Sequence, residues 1–257
     1  MTMTPGSAAE RLAGMALSLH PSDDVRGARL QRVREYLFSR SRELREANFR
    51  HIQTRDLELL FEAYDREFFE GCCRAALAGR RLDFRLSPRM TKAAGHTRRL
   101  RFRTGETAFE IAIAASMLFD GFGPEDRRIA VCGLDCPTRL DALERVFEHE
   151  LVHLVENLCW EASSCSAERF QGIARRVFGH RSHTHDLITR RERAAGIGIR
   201  PGMRVAFVFE GRRLAGRVNR ITQRATVLVE DPAGERYSDG RRYQRYYVPL
   251  RHLELEG

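Results

Sequence analysis

One five-residue segment constrains this chain more than any other: His149-Glu150-Leu151-Val152-His153. Around it lie Val146, Phe147, Leu154 and Val155, an apolar pattern that predicts a largely buried helix. Polar side chains in such a helix need partners, because burying them unpaired is costly. Histidines four residues apart share one helix face, with Cβ atoms about 5–6 Å apart, so both imidazoles can reach one metal ion. Glu150 follows His149 and can face a metal-bound water. Catalytic zinc keeps three protein ligands and one open position. It brings the pKa of its water to about 7, and a nearby carboxylate can take the proton as that water attacks a carbonyl. The H-E-x-x-H pattern therefore predicts a Zn2+ site with His149 and His153 as ligands and Glu150 as general base.

The third ligand must come from elsewhere. His180, His183 and His185 stand within six residues, in a chain with nine histidines. That cluster is the expected source. Glu144 and Glu156 are chemically able donors, but Glu156 lies about two turns beyond His149, too far on a straight helix.

Elsewhere the pattern is mixed. Residues 1 to about 20 read as a loose tail. Helical spacing begins at Ser22 and returns from Arg55 to Phe69. Strand-like runs follow at Leu82–Leu86, Gly95–Arg103 and Phe109–Ile113, with a turn at Gly105. A helix is expected from Pro137-Thr138 to about Leu158, another from Ser166 to Val177, and a third from the histidine cluster to about Ala195. Residues 196 to 202 read as a linker. Beyond it, short alternating runs with turns at Glu210-Gly211, Asp231–Gly234 and Ser238–Gly240 predict a small five-stranded barrel.

Net charge is +9, and Lys92 is the sole lysine among 44 basic residues. A GC-rich coding bias explains that preference without function, yet arginine also suits phosphate contact. From Ile199 onward, twelve arginines against seven acids leave +5. Tyr237, Tyr243, Tyr246 and Tyr247 interleave with Arg241, Arg242 and Arg245, so arginines could hold phosphate while tyrosines stack bases. The competing expectation is a solvated barrel face. No run is long and apolar enough for a membrane span, and a signal peptide is not expected. The six cysteines show no disulfide-scaffold density, and Cys132 and Cys136 are spaced C-x3-C without a second pair. They read as reduced and mostly structural, in a cytoplasmic protein.

The succession Leu57-Glu58-Leu59-Leu60-Phe61-Glu62-Ala63-Tyr64, then Leu82–Ser87, Ala94-Gly95-His96-Thr97, Phe109–Ile113 and the HELVH helix resembles the SprT-like zinc metalloprotease family, which is Spartan-related. The resemblance covers roughly residues 50 to 195. It implies His149 and His153 as ligands and Glu150 as general base. The family's third histidine is typically followed four positions on by a large apolar residue. His183 with Leu187 fits; His180, followed by Thr184, ranks second, and His185 is expected beside the site. An edge strand near Phe109–Ile113 would pair with extended substrate, simple core packing being the equal alternative. Two features depart from the family. The insert after His153, with Cys159, Trp160 and Cys165, is long, and an SH3- or KOW-like barrel replaces the usual zinc ribbon.

The expected fold class is thus α+β. A tail and helix occupy 1–50. A zincin-like, helical metalloprotease domain with a small antiparallel sheet spans 51–195, and an all-β SH3-like barrel spans 199–257. The expected activity is zinc-dependent hydrolysis of protein or peptide substrates, extended by the basic barrel to proteins on DNA or RNA. The alternative is a nucleic-acid-binding protein with a structural zinc and no proteolysis.

Overall fold

The computed structural model describes residues 7–88, 90, 93–123, 126–189, 192, 196, 198–222 and 224–256. The chain divides into two compact units, Met1–Leu187 and Ile188–Gly257, and its class is α+β. Most of the helix expected to reach Ala195 lies outside the described residues.

The first unit opens with a helix where a loose tail was expected. Helix α1 (Ala8–Ser18) starts at a capping box: the Ser7 hydroxyl accepts from the Glu10 N–H, and the Glu10 carboxylate accepts from the Ser7 N–H. Its Leu12 and Ala16 are fully buried. Helix α2 (Asp23–Arg40) contributes Val33 and Leu37 to the same core. Helix α3 (Thr54–Phe69) buries Leu57, Leu60, Phe61, Tyr64 and Phe68, and the short α4 (Cys72–Leu77) follows. Each large side chain so buried stabilises the fold by roughly 1.5–3 kcal/mol in transfer terms. The helices α1 and α2 therefore belong to the first unit's core and are not an appendage to it.

Strands β1 (Leu82–Leu86), β2 (Gly95–Arg101) and β3 (Thr107–Ile113) form a sheet in the order β1-β3-β2. β3 pairs antiparallel to β2 and parallel to β1, so the sheet is mixed and not purely antiparallel. β3 is its central strand. This corrects the edge position expected for Phe109–Ile113, and the reason is visible in its side chains. Phe109, Ile111 and Ile113 are buried on one face, Ala108 and Ala112 on the other. A strand apolar on both faces belongs inside a sheet. Among the described residues β2 pairs only with β3, which leaves β2 an edge.

Helix α5 (Ala115–Asp120) leads to a two-residue hairpin, β4 (Ala130–Val131) and β5 (Leu134–Asp135). The long α6 (Arg139–Trp160) and then α7 (Glu168–Phe178) complete the unit. Tyr64, Phe68, Phe147 and Phe178 pack together with ring centroids 5.1 to 5.9 Å apart, tying α3, α6 and α7 into one core.

The second unit is a five-stranded antiparallel sheet. Its strands are β6 (Arg204–Phe209), β7 (Arg212–Ile221), β8 (Ala225–Arg236), β9 (Arg242–Val248) and β10 (Glu254–Leu255), in the order β10-β6-β7-β8-β9. Among the described residues β10 and β9 are not paired with each other, so the hydrogen bonding does not close a barrel. Val205, Phe207, Val218, Ala225, Val227 and Val248 form its core with Ile199. The turn expected at Asp231–Gly234 is instead an irregularity inside β8, where the register shifts between Glu230 and Glu235. Among the described residues no helix in either unit is long and apolar enough to cross a membrane.

Candidate metal centre

Helix α6 carries an unusual load of charge into the core. A capping box between Thr138 and Asp141 fixes its start. Glu144, Glu148 and Glu156 are fully buried, and Glu150 and Arg145 nearly so. Each has partners, as buried polar groups require. Arg34 Nε donates to Glu144 Oε1 at 2.8 Å. Glu148 accepts from Tyr64 Oη at 2.8 Å and faces Arg145 Nη2 at 2.8 Å and His180 Nε2 at 2.9 Å. Glu156 accepts from Arg169 Nε at 2.6 Å and from Ser163 Oγ at 2.7 Å.

This network reaches the HELVH histidines. Ser163 Oγ lies 2.6 Å from His153 Nδ1. A hydroxyl has one hydrogen, and Ser163 gives it to the Glu156 carboxylate. Its oxygen must then accept from His153 Nδ1–H, which leaves the Nε2 lone pair of His153 open. That Nε2 points at His149 Nε2, 3.2 Å away. His149 Nδ1 faces Cys132 Sγ at 3.8 Å. Phe170 of α7 packs against both imidazoles, at centroid distances of 4.8 and 4.4 Å, and fixes their planes. Burial pushes His149 down to about 3, assisted by the neighbouring histidines, and His153 down to about 4 against the opposing pull of Glu156. Both are neutral at pH 7, the form in which imidazole binds a metal.

Glu150 is positioned from β2. The Thr97 hydroxyl lies 2.8 Å from the Glu150 carbonyl and 2.9 Å from Glu150 Oε2, its single hydrogen shared between them. At Gly95 a Cβ would stand 2.7 Å from Glu150 Oε1, so only glycine leaves room for the carboxyl there. Burial raises Glu150 to about 8, partly offset by the Thr97 hydrogen bond.

Gly95, Thr97, His149, Glu150, His153 and Cys165 share the lining of one cavity of about 500 Å³, with His183 also on its wall. The hairpin turn at Cys132-Gly133 holds the segment that bears His183. Its two residues have φ of 54° and 72°, a geometry that suits a two-residue hairpin. The Cys132 carbonyl accepts from the N–H groups of Arg181 and Ser182 at 2.9 and 3.1 Å, and the Cys132 N–H donates to the Thr184 carbonyl at 2.8 Å. A Cβ on Gly133 would stand 2.9 Å from Arg181 Cβ, which explains the glycine.

The clustered histidines thus have separate fates. His180 is buried against Glu148 and lines a different pocket, which removes it as a candidate for the third position. His183 is exposed on the cavity wall, and His185 lines the cavity while bridging Val131. Among the described residues, the group whose ligand atoms all lie within 4.8 Å of one another is His149, His153 and Cys165. Sequence reasoning missed Cys165, having placed all six cysteines as mostly structural. All six are free thiols. A signal was available: Cys165 stands in the polar insert Ser163-Ser164-Cys165-Ser166, an unusual setting for a packing cysteine. Comparison of the chain with family models, with curated proteins and with solved structures gives no match, so the chemistry of this centre rests on its own residues.

Proposed function

We propose that this chain is a zinc-dependent metallopeptidase of the zincin-like, SprT-like kind, with His149 and His153 as ligands and Glu150 as general base. The observation that carries the reading is the 3.2 Å separation of the two Nε2 atoms on α6. Two nitrogens at 2.0–2.1 Å from a tetrahedral ion stand about 3.3 Å apart. The imidazoles are already arranged as a chelate, and Ser163 keeps the His153 lone pair turned inward. When bound there, zinc would supply Lewis acidity and a water of pKa about 7.

The chain's own groups do the rest. Thr97 and the space left by Gly95 aim the Glu150 carboxyl into the cavity. A cation beside Glu150 would draw its pKa down from the raised value of the buried acid, leaving a carboxylate able to take a proton. β2 replaces β3 as the strand on which an extended peptide would pair, since it is the edge strand whose residues, Gly95 and Thr97, line the cavity. Action on proteins bound to DNA or RNA is the narrower part of the proposal. It rests on the positive charge of residues 199–257, which is partly neutralised internally: Arg204, Arg213, Arg241 and Arg245 each face a glutamate.

The test is metal content together with cleavage. The purified chain should hold about one zinc, lost in His149→Ala and His153→Ala. Glu150→Gln should keep the metal and lower cleavage of an unfolded protein substrate by about 100-fold or more. A zinc-loaded chain that leaves unfolded protein intact, with and without DNA, would end the peptidase reading.

A further inference from the structure

We infer that Cys165 is a metal ligand of this centre, its thiolate joining the His149 and His153 nitrogens where the sequence pointed to a histidine of residues 180–185. This rests on the metal-centre reading above and sharpens it. The three ligand atoms lie within 4.8 Å of one another. A tetrahedral zinc with Zn–N near 2.0 Å and Zn–S near 2.3 Å needs about 3.5 Å between nitrogen and sulfur. A side-chain rotation at Cys165 that moves the sulfur by about 1 Å covers the difference.

The loop carrying Cys165 is held for this. It joins α6 to α7 over residues 161–167. Ser163, two residues before the cysteine, is fixed between His153 and Glu156. The Cys165 carbonyl accepts from Gln171 Nε2 of α7 at 3.3 Å, and the flanking Ser164 and Ser166 hydroxyls meet at 2.9 Å. One loop therefore orients a histidine ligand and presents a sulfur beside it. His183 lines the same cavity but is exposed and stands outside this close group.

The donor set also selects the metal. A thiolate with two imidazoles favours zinc or cobalt over magnesium, calcium or manganese, which prefer oxygen. It makes the centre sensitive to thiol reagents, because Cys165 is only half-buried and lines an open cavity.

Cobalt(II) substitution in the full chain reads the sulfur directly. The wild type loaded with Co2+ should show a near-ultraviolet thiolate-to-cobalt charge-transfer band. Cys165→Ser should abolish the band and weaken zinc binding by more than the roughly 10–100-fold typical of losing an outer-shell partner. His183→Ala should leave the band intact. Zinc should also protect Cys165 from iodoacetamide, read by peptide mass spectrometry, while the apo chain is labelled there. If cobalt binds through His149 and His153 with no charge-transfer band and Cys165 is labelled equally with and without zinc, the inference is overturned and the two-histidine centre stands. If neither zinc nor cobalt binds, both fail together.

Discussion

The two units both carry many charged residues and use them in opposite ways. In the first, Glu144, Glu148, Glu150 and Glu156 lie inside the protein on a single helix, each tied to named partners. In the second, the ion pairs lie on the surface. Arg213–Glu254 and Arg245–Glu235 have side chains 43 to 68 % exposed. Buried charge must be matched by fixed geometry, because removing one partner leaves the other without solvent. Exposed pairs carry no such demand. The contrast teaches where to look for chemistry: the total charge is a poor guide, and the cost of its placement is a good one. By that measure α6 is built around its site, whereas the basic sheet has the charge pattern of an ordinary surface.

The comparison can be broken by mutation. Glu148→Ala should cost the most, about 3–5 kcal/mol in denaturant unfolding, because it takes from Arg145 its nearest carboxylate and from His180 and Tyr64 their buried partner. A loss under about 1 kcal/mol would mean that water reaches this helix and that the contrast is false. Gly95→Ala should come next, at about 1–3 kcal/mol, from the clash with Glu150. It should also lower peptide cleavage more than it lowers zinc content, and equal losses would show that Gly95 serves folding alone.

Acid sensitivity of the metal-free chain is the third. His149 and His153 sit at about 3 and 4 when folded, against 6.5 when unfolded. Below pH 6.5 the unfolded chain takes up protons that the folded one refuses, so stability should fall steadily from pH 6.5 to about 4. Zinc should raise stability across this window without removing the slope, because metal-bound imidazoles refuse the same protons. A flat profile for the apo chain over this window would show that the histidines are not held neutral. The smallest effect belongs to the second unit. Arg213→Ala and Arg245→Ala should each change stability by less than about 1 kcal/mol, and less still at high salt. Losses the size of Glu148→Ala would place those pairs in a demanding role after all.

Much of this was legible in the sequence because it is local. The HELVH periodicity pointed to α6 and both histidines, and alternation pointed to β1, β2 and β3. What was missed depends on contacts far apart in the chain. The Ser7–Glu10 capping box was readable, but the core that receives Leu12 was not. The central position of β3 follows from a parallel pairing with β1 that periodicity does not encode. His180 and His183 look alike in the sequence. Only the fold shows one sealed against Glu148 and the other on the cavity wall. Cys165 was passed over because a loop residue that comes near two helix histidines only in the fold follows no spacing rule.

The Cys132-Gly133 turn has a bearing on how such a centre can diversify. It grips residues 181, 182 and 184 through backbone hydrogen bonds, and their side chains are exposed. The cavity therefore has one wall whose sequence is nearly unconstrained by its own support and another, α6, that tolerates almost no change. Of these three residues, Thr184 lines the cavity, so a substitution there changes that wall while the buried helix is left intact. In this molecule one small space is thus bounded both by a stretch that is free to vary and by a helix that is not.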